Sequence, residues 1–418
     1  MAKTRKTKSA SAVVKRKRLE IQPSTIRKIL QLAGYDPKLY DSFSKKQKAQ
    51  FSAFDYYLPV FRIKKNSSMP RHYIKYIREK VYDFLDSNYV GDESIQLTMK
   101  EFATFGLGGF CILQRIMATK EINDKWTEEI TDEIYPFCEK TLDMLQNILR
   151  LFVLSFSKVT FRTYSFSVDL TNTSCNNKNG FCWKWIIEFT STPSYKQQFI
   201  RNGKSRPAYL CHTGRTNQES ATPLMISDEE IYPDIISDKV YPVFIQSHVL
   251  HRIKERFDTL PAPSRNMFMM GSFIFQQKFI YISPETILIP CNIAYNIPAG
   301  YFTFSIQDDS ILILTLLPLT SIITPEGKKL YDILGLSKSE LIYLGMDKLS
   351  FYEQVDFDQI PVLKEALIQS GIWKMRQCLL ENKEEVEEII EPNKERTYFV
   401  KAYFEKRTQR MESLAQLM

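Results

Sequence analysis

Histidine and cysteine are both scarce in this sequence. Its 418 residues include four histidines and seven cysteines, and no two cysteines have C-x-x-C spacing. An odd number of cysteines without paired spacing argues against a disulfide framework and a zinc ribbon, and it favours a reducing compartment. The longest apolar run, at 311–319, has nine residues, whereas a membrane helix needs about 20. We therefore expect a soluble cytoplasmic protein with no membrane partner.

Acidic residues are missing from the first 18 residues. This segment holds eight lysines and arginines, and removing them from the 56 basic residues leaves 48, equal to the 48 acidic ones. The excess positive charge thus belongs to a tail, over 1–20, that we predict to be disordered. No apolar segment follows the basic start, which argues against a signal peptide.

A basic tail attracts polyphosphate in a salt-sensitive way. Its second cluster, Lys15, Arg16, Lys17 and Arg18, is therefore predicted to contact nucleic acid. The spacing of the two clusters also resembles a bipartite nuclear import signal, which would make the protein nuclear in a eukaryote. A solvated tail without function is the alternative.

The rest of the chain has a globular composition, with 44% hydrophobic and 13% aromatic residues. Apolar residues recur at helical spacing within 74–85 and 142–152, and they alternate with polar residues in 161–170 and 181–189, which predicts two strands of a hairpin. Beyond 241 the pattern is strand, helix, helix and several strands, so the predicted class is α+β. The predicted segments are an N-terminal helical region (21–157), a β-rich region with an antiparallel hairpin and a loop (158–240), a small domain of two helices and an antiparallel sheet (241–335) and a helical C-terminal region (336–418).

Glycine-rich and polar stretches give further local predictions. "FGLGGF" at 105–110 does not fit the dinucleotide-binding pattern and is predicted to be a tight packing or turn element. The polar segment 216–240 is predicted to be a connecting loop, and turns are predicted at 202–203 and 307–309. The acid-rich segment 381–393 is predicted to be a solvated helix ended by its proline.

Chemistry-bearing residues concentrate in "SHVLHRIKERF" at 247–257. With Ser247 as the predicted N-cap, apolar residues at helical spacing form a buried stripe. That stripe comprises Val249, Ile253, Phe257 and Leu260. The opposite face, or its borders, carries His248, Arg252, Glu255 and Arg256, and His251 is turned aside.

This inventory suits metal-independent cleavage of RNA. The 2′-hydroxyl must lose a proton and the leaving oxygen must gain one, and an imidazole titrates near neutrality. A guanidinium group binds two phosphate oxygens and stays charged. "YPVFIQSHVLHRIKERF", followed by strands ending in "LILTLLPLT", resembles the small metal-independent ribonucleases grouped with barnase, colicin-type and RelE-type toxins.

The resemblance covers about residues 241–325 and implies a nuclease-like fold that cleaves RNA by attack of the 2′-hydroxyl. On this match His248 is the catalytic acid or base, Arg252 and Arg256 hold the phosphate, and Thr315 positions it, with Thr303 as a substitute. Val249 stands where a small residue is usual. The family implies no cofactor, RNA rather than DNA as substrate, and a protein inhibitor or assembly partner.

Other interpretations stay open. One alternative is that the segment forms an ordinary amphipathic helix with exposed histidines. Another is that His248 and His251 bind a metal together with Cys211, His212 or Glu255, although no HExxH or Cys-His signature supports a metal site. If His212 binds no metal, it is expected to be either a second proton-transfer group or a surface residue in a loop. The alternative function is a non-catalytic nucleic-acid-binding protein, or a virion or mobile-element interaction protein, with a degenerate nuclease-like domain. The third possible function is that of a structural protein without affinity for nucleic acid.

Overall fold

The chain divides into two compact units. The computed structural model describes residues 19–53, 56–65, 67–91, 94–118, 126–174, 181–217, 220–234, 237–275, 279–283, 286–294, 296–384 and 392–417. The first unit contains the described residues of 1–63, 71–148 and 167–188, and the second those of 64–70, 149–166 and 189–418. Helices and sheet both occur, which confirms the α+β class. Within these ranges no helix combines the length and the apolar character that crossing a membrane requires.

The first unit is mostly helical. Its helices are α1 (Pro23–Leu32), α2 (Leu39–Ser42), α3 (Lys45–Ala53), α4 (Arg71–Ser87), α5 (Met99–Glu101), α6 (Leu107–Ala118) and α7 (Trp126–Phe156), whose last residues belong to the second unit. Its short strands are β1 (Val60–Ile63), β2 (Tyr89–Val90) and β3 (Leu97–Thr98), and β2 pairs antiparallel with β3. A π-helical stretch, Phe102–Gly106, joins α5 to α6.

Apolar residues at helical spacing give α4 its buried face, at Ile77, Val81 and Leu85. The "FGLGGF" segment forms no turn, because it lies within the π-helical stretch and α6. The packing part of that prediction is confirmed. A Cβ at Gly109 would lie 2.8 Å from Cδ1 of Ile29 on α1, so glycine lets the two helices approach closely.

Strands dominate the first part of the second unit. Two long strands contain residues of both units, β4 (Arg162–Ser174) and β5 (Phe181–Pro193), and they are neighbours in one sheet, as the predicted hairpin requires. The other strands are β6 (Lys196–Arg201), β7 (Lys204–Leu210), β8 (His212–Asn217), β9 (Ser220–Pro223), β10 (Met225–Ser227), β11 (Val240–Gln246), β12 (Ile280–Ser283), β13 (Thr286–Ala294), β14 (Ile297–Gln307) and β15 (Ser310–Pro318). In this unit β8 pairs in parallel with β4 and antiparallel with β9.

Eight of these strands form one mixed sheet. Its order is β12-β13-β14-β15-β11-β7-β6, and β10 pairs with β11 off this path. Neighbouring strands run antiparallel, except β11 and β15, which are parallel with Val243 opposite Ile311. The sheet predicted for 241–335 as antiparallel is therefore mixed, and it also takes in β6 and β7 from outside that segment.

Helices pack around this sheet and fill the C-terminal region. The helices of the second unit are α8 (Asp228–Ile231), α9 (Ser247–Arg256), α10 (Ala262–Ile274), α11 (Pro325–Leu334), α12 (Lys338–Leu344), α13 (Leu349–Gln354), α14 (Pro361–Ser370), α15 (Trp373–Glu384) and α16 (Lys394–Leu417), with a 3-10 turn at Phe357–Gln359. On α10, Phe273 packs with its ring centroid 4.8 Å from that of Phe302 on β14. The predicted helix after α9 and the helical C-terminal region are both present.

The segment 216–240 is not the loop that its polar sequence predicts, since it contains β9, β10 and α8. The N–H of Leu224 donates to the carbonyl of Cys211, and the N–H of Val243 donates to that of Leu224. These bonds join residues 13 and 19 positions apart in the chain, so they supply pairing that local composition does not reveal. The basic tail 1–18 and most of the acid-rich segment 381–393 lie outside the described residues.

Candidate nucleic-acid interface

The helix that carries the predicted site begins where β11 ends. Its N-cap is Gln246, one residue before the predicted Ser247, and Ser247 is the first helical residue. Of the predicted apolar stripe, Val249, Ile253 and Phe257 are buried, whereas Leu260 is half-buried and lies beyond the end of the helix. This burial fixes the rotation of α9 and leaves His248, His251 and Arg252 exposed.

His248 lies close to Arg206 of β7. β11 pairs antiparallel with β7 as far as Gln246, which is opposite Ala208, and α9 begins at the next residue, so the start of α9 lies beside β7. Partial burial, and then the positive charges of Arg252 and Arg206, lower the pKa of His248 from its ordinary value of 6.5. The imidazole is therefore neutral at pH 7 and able to accept a proton.

Arg252 is held at the surface by an acid of its own helix. Its Nη1 donates to Oε2 of Glu255 at 2.8 Å, and Nε2 of His251 lies 2.9 Å from Oε1 of the same carboxylate. Ion pairs this exposed are screened by solvent and contribute little stability. A guanidinium group has five N–H donors, so Arg252 keeps others that a phosphate group can accept.

Arg256 has a different environment. It is half-buried, and its Nε and Nη1 atoms have no hydrogen-bond partner within the described part of the chain. Burial lowers its pKa to about 10, so the guanidinium group is still charged at pH 7. Arg256 lines a cavity together with Asp347 and Leu317.

Thr315 is half-buried on β15, opposite Thr303 of β14. The β14–β15 register shifts between Thr303 and Phe304, and a bulge of this kind changes which way the following side chains point. Among the described residues, no hydrogen bond joins either threonine to the three predicted site residues of α9. The structure thus brings His248 and Arg252 together on one surface, and in the described chain no hydrogen bond links Thr315 to them.

The remaining candidates have other settings. His212 begins β8 and is 4% exposed, so it is not a surface loop residue, and burial lowers its pKa to about 4. Across the described ranges, no group of three or more histidine, cysteine, aspartate or glutamate side chains is placed to hold a metal. The tail residues predicted to contact nucleic acid lie outside the described residues, and they are Lys15, Arg16, Lys17 and Arg18.

The hairpin of β6 and β7 adds positive charge beside α9. It turns at Asn202 and Gly203, both with positive φ, as the sequence predicts. Arg201 is opposite Lys204, and Arg206 follows two positions later, so these three side chains share one face of the hairpin. All three are exposed. Together with two residues of α9 they form what we call the basic surface, which comprises Arg201, Lys204, Arg206, His248 and Arg252.

Sequence reasoning predicted the turn of this hairpin but missed its positive charge, although a signal was present. From residue 189 to residue 218 the chain contains no aspartate or glutamate. Totals over the whole chain hide this stretch, because acidic residues elsewhere balance its charge. The link between Arg206 and His248 depends on the register of β7 against β11, which local sequence does not specify.

Comparisons of the chain with protein families, with curated proteins and with solved structures each gave no match. What the protein does has therefore to be inferred from its own side chains.

Proposed function

We propose that this protein binds single-stranded RNA through the basic surface. The observation that carries the proposal is the meeting of the acid-free β6–β7 hairpin with the exposed side of α9. Arg201, Lys204 and Arg206 have no ion-pair partner in the described chain, so their charges are available to phosphate groups. Cations arranged in this way neutralise a phosphate backbone without reading its bases.

An exposed tyrosine favours single-stranded RNA over a duplex. Tyr195, next to the start of β6, is 55% exposed, and its ring centroid lies 6.2 Å from that of the buried Phe244. An unpaired base can stack on such a ring, which contributes about 1–3 kcal/mol per base, whereas bases inside a duplex are not accessible. The tail then adds a second, non-specific attraction.

Neutralising the hairpin is expected to weaken RNA binding. In a chain that lacks residues 1–18, the triple substitution Arg201→Gln, Lys204→Gln, Arg206→Gln should raise the Kd for a fluorescent 20-nucleotide RNA at least roughly tenfold at 0.15 M salt. The slope of log Kd against log salt should fall by about two, since each lost phosphate contact on a single strand accounts for roughly 0.7. Fluorescence anisotropy measures both quantities.

A matched variant controls for net charge. Lys394→Gln, Lys406→Gln and Arg410→Gln remove three exposed charges from α16 and should leave the Kd within about twofold of the parent. If the two triple variants bind equally well, the basic surface is not the binding site. If the protein without its tail does not bind RNA at all, the tail is the only contact.

Metal-independent cleavage of RNA is the second candidate function, and the lowered pKa of His248 favours it. A neutral imidazole between two guanidinium groups suits a general base beside a phosphate. If it acts so, wild-type protein in EDTA should convert RNA to products ending in a cyclic phosphate, and His248→Ala should reduce the rate by about 100-fold or more. Intact RNA after prolonged incubation, at concentrations where anisotropy shows full binding, would leave binding as the function.

A further inference from the structure

A cavity of about 230 Å³ lies beside α9, on the side where Arg256 is found. Its walls come from the end of β15, the turn after it, α11 and α12. Most of the lining is apolar, with Leu330, Leu341, Ile322 and Ile342 among the side chains. The two isoleucines are more than half exposed, so they lie at the mouth. The cavity is about half as large again as the ~150 Å³ space that admits benzene.

The polar groups of the cavity include two charged side chains with unused hydrogen-bonding atoms. Arg256 contributes Nε and Nη1, and Asp347 contributes Oδ1, each buried and without a partner in the described chain. Arg256 and Asp347 also line a void of about 10 Å³ that adjoins the cavity. That void is at the lower limit for one water molecule, and Asp347 lies near enough to Arg256 for its negative charge to raise the arginine's pKa against the larger effect of burial. An unpaired buried donor or acceptor destabilises the folded protein, and a ligand with the matching group would offset that cost.

We propose that this cavity binds a free apolar α-amino acid of leucine to phenylalanine size. The carboxylate accepts hydrogen bonds from Arg256, the ammonium group donates to Asp347, and the side chain lies among the apolar residues of α11 and α12. A single small molecule thus supplies an acceptor for the N–H groups of Arg256 and a donor for the carboxylate of Asp347. A simple fatty acid would leave Asp347 unpaired, and a polar amino acid would bury its own side chain at a cost.

Thermal unfolding with a panel of small molecules tests the assignment on the full chain. L-leucine or L-phenylalanine at millimolar concentration should raise the Tm by several degrees. 4-Methylpentanoate lacks the ammonium group, isoamylamine lacks the carboxylate and L-serine lacks the apolar side chain, so each should shift the Tm by less than a third as much. Equal shifts with 4-methylpentanoate would overturn the amino-acid assignment, as would no shift with either apolar amino acid.

Two variants on one helix separate this site from the basic surface. Arg256→Met fills similar volume without the charge, and should weaken leucine or phenylalanine binding at least tenfold by isothermal titration calorimetry while RNA affinity stays unchanged. Arg252→Met, one turn earlier, should weaken RNA binding and leave amino-acid binding intact. Amino-acid binding that survives Arg256→Met contradicts the proposal. If Arg256→Met does not fold, Asp347→Asn provides the same comparison, because it should weaken the amino acid but not 4-methylpentanoate.

Discussion

Replacing Gly327 by alanine is expected to destabilise the second unit by at least ~3 kcal/mol. A Cβ at this position would lie 2.0 Å from the carbonyl oxygen of Ser321 and 2.7 Å from that of Leu319. Both are backbone atoms, so no side chain can rotate to make room. The same two carbonyl oxygens lie 2.7 and 2.6 Å from the hydroxyl oxygen of Thr324 and share its single proton. Moving them therefore breaks the contacts that fix the start of α11.

The hydroxyl of Thr324 also accepts from the N–H of Gly327 at 3.1 Å, as the N-cap of α11. Loss of such a cap contributes about 1 kcal/mol in addition to the steric cost. Differential scanning calorimetry should show the Tm lowered by roughly 6 °C or more. Gly327 also lines the cavity beside α9 that we propose to bind an amino acid. The folded fraction of this variant should therefore bind L-leucine less tightly than the parent protein does.

Gly271→Ala is the matched control. This glycine is inside α10, and the nearest atom to an added Cβ is 3.8 Å away, which is ordinary contact. Alanine in a helix interior is favoured over glycine by about 0.5–1 kcal/mol, so the Tm should stay the same or rise slightly. A Gly327→Ala protein as stable as Gly271→Ala would show that the turn before α11 is not packed as described.

Local patterns predicted the elements around the site, because they depend on residues close in sequence. The extended segment before α9, the two helices and the strands on either side of 307–309 are all present, and Asp308 and Asp309 turn with positive φ. The parallel pairing of β11 with β15 and the addition of β6 and β7 to the sheet were not predicted. These pairings join residues far apart in the chain, and any of several strand orders would bury the same apolar residues.

The candidate site was predicted in part, and helix geometry explains the rest. At about 100° per residue, His248, Arg252 and Arg256 lie roughly 140°, 100° and 60° from the centre of the buried stripe. His248 and Arg252 are therefore at the surface, while Arg256 borders the core and reaches the cavity. Sequence spacing showed that these three residues lie on neighbouring faces of the helix. It could not show that helices from 325–344 would cover Arg256.

Acid is expected to weaken the protein through His212, by about 3 kcal/mol between pH 7 and pH 4. Burial lowers the pKa of His212 from 6.5 to about 4, so the folded state holds a neutral imidazole while the unfolded chain protonates near 6.5. Between these values the unfolded state binds more protons, and stability therefore falls as the pH falls. Nδ1 of His212 has no hydrogen-bond partner among the described residues, so no contact of that atom offsets the cost of charging the ring.

Carboxylates also titrate in this range, so the pH dependence of one protein cannot isolate His212. Subtracting the unfolding free energy of His212→Gln from that of wild type removes the contribution of the carboxylates, because both proteins contain the same ones. We expect the unfolding free energy of wild type, measured in urea, to fall more steeply from pH 7 to pH 4 than that of His212→Gln, by about 3 kcal/mol in total. His251→Gln, at a residue 70% exposed, should follow the wild-type curve. NMR titration of labelled histidines provides a direct check, since a His212 signal that titrates near 6.5 in the folded protein would mean that the imidazole is hydrated and that β8 is not packed as the structure has it.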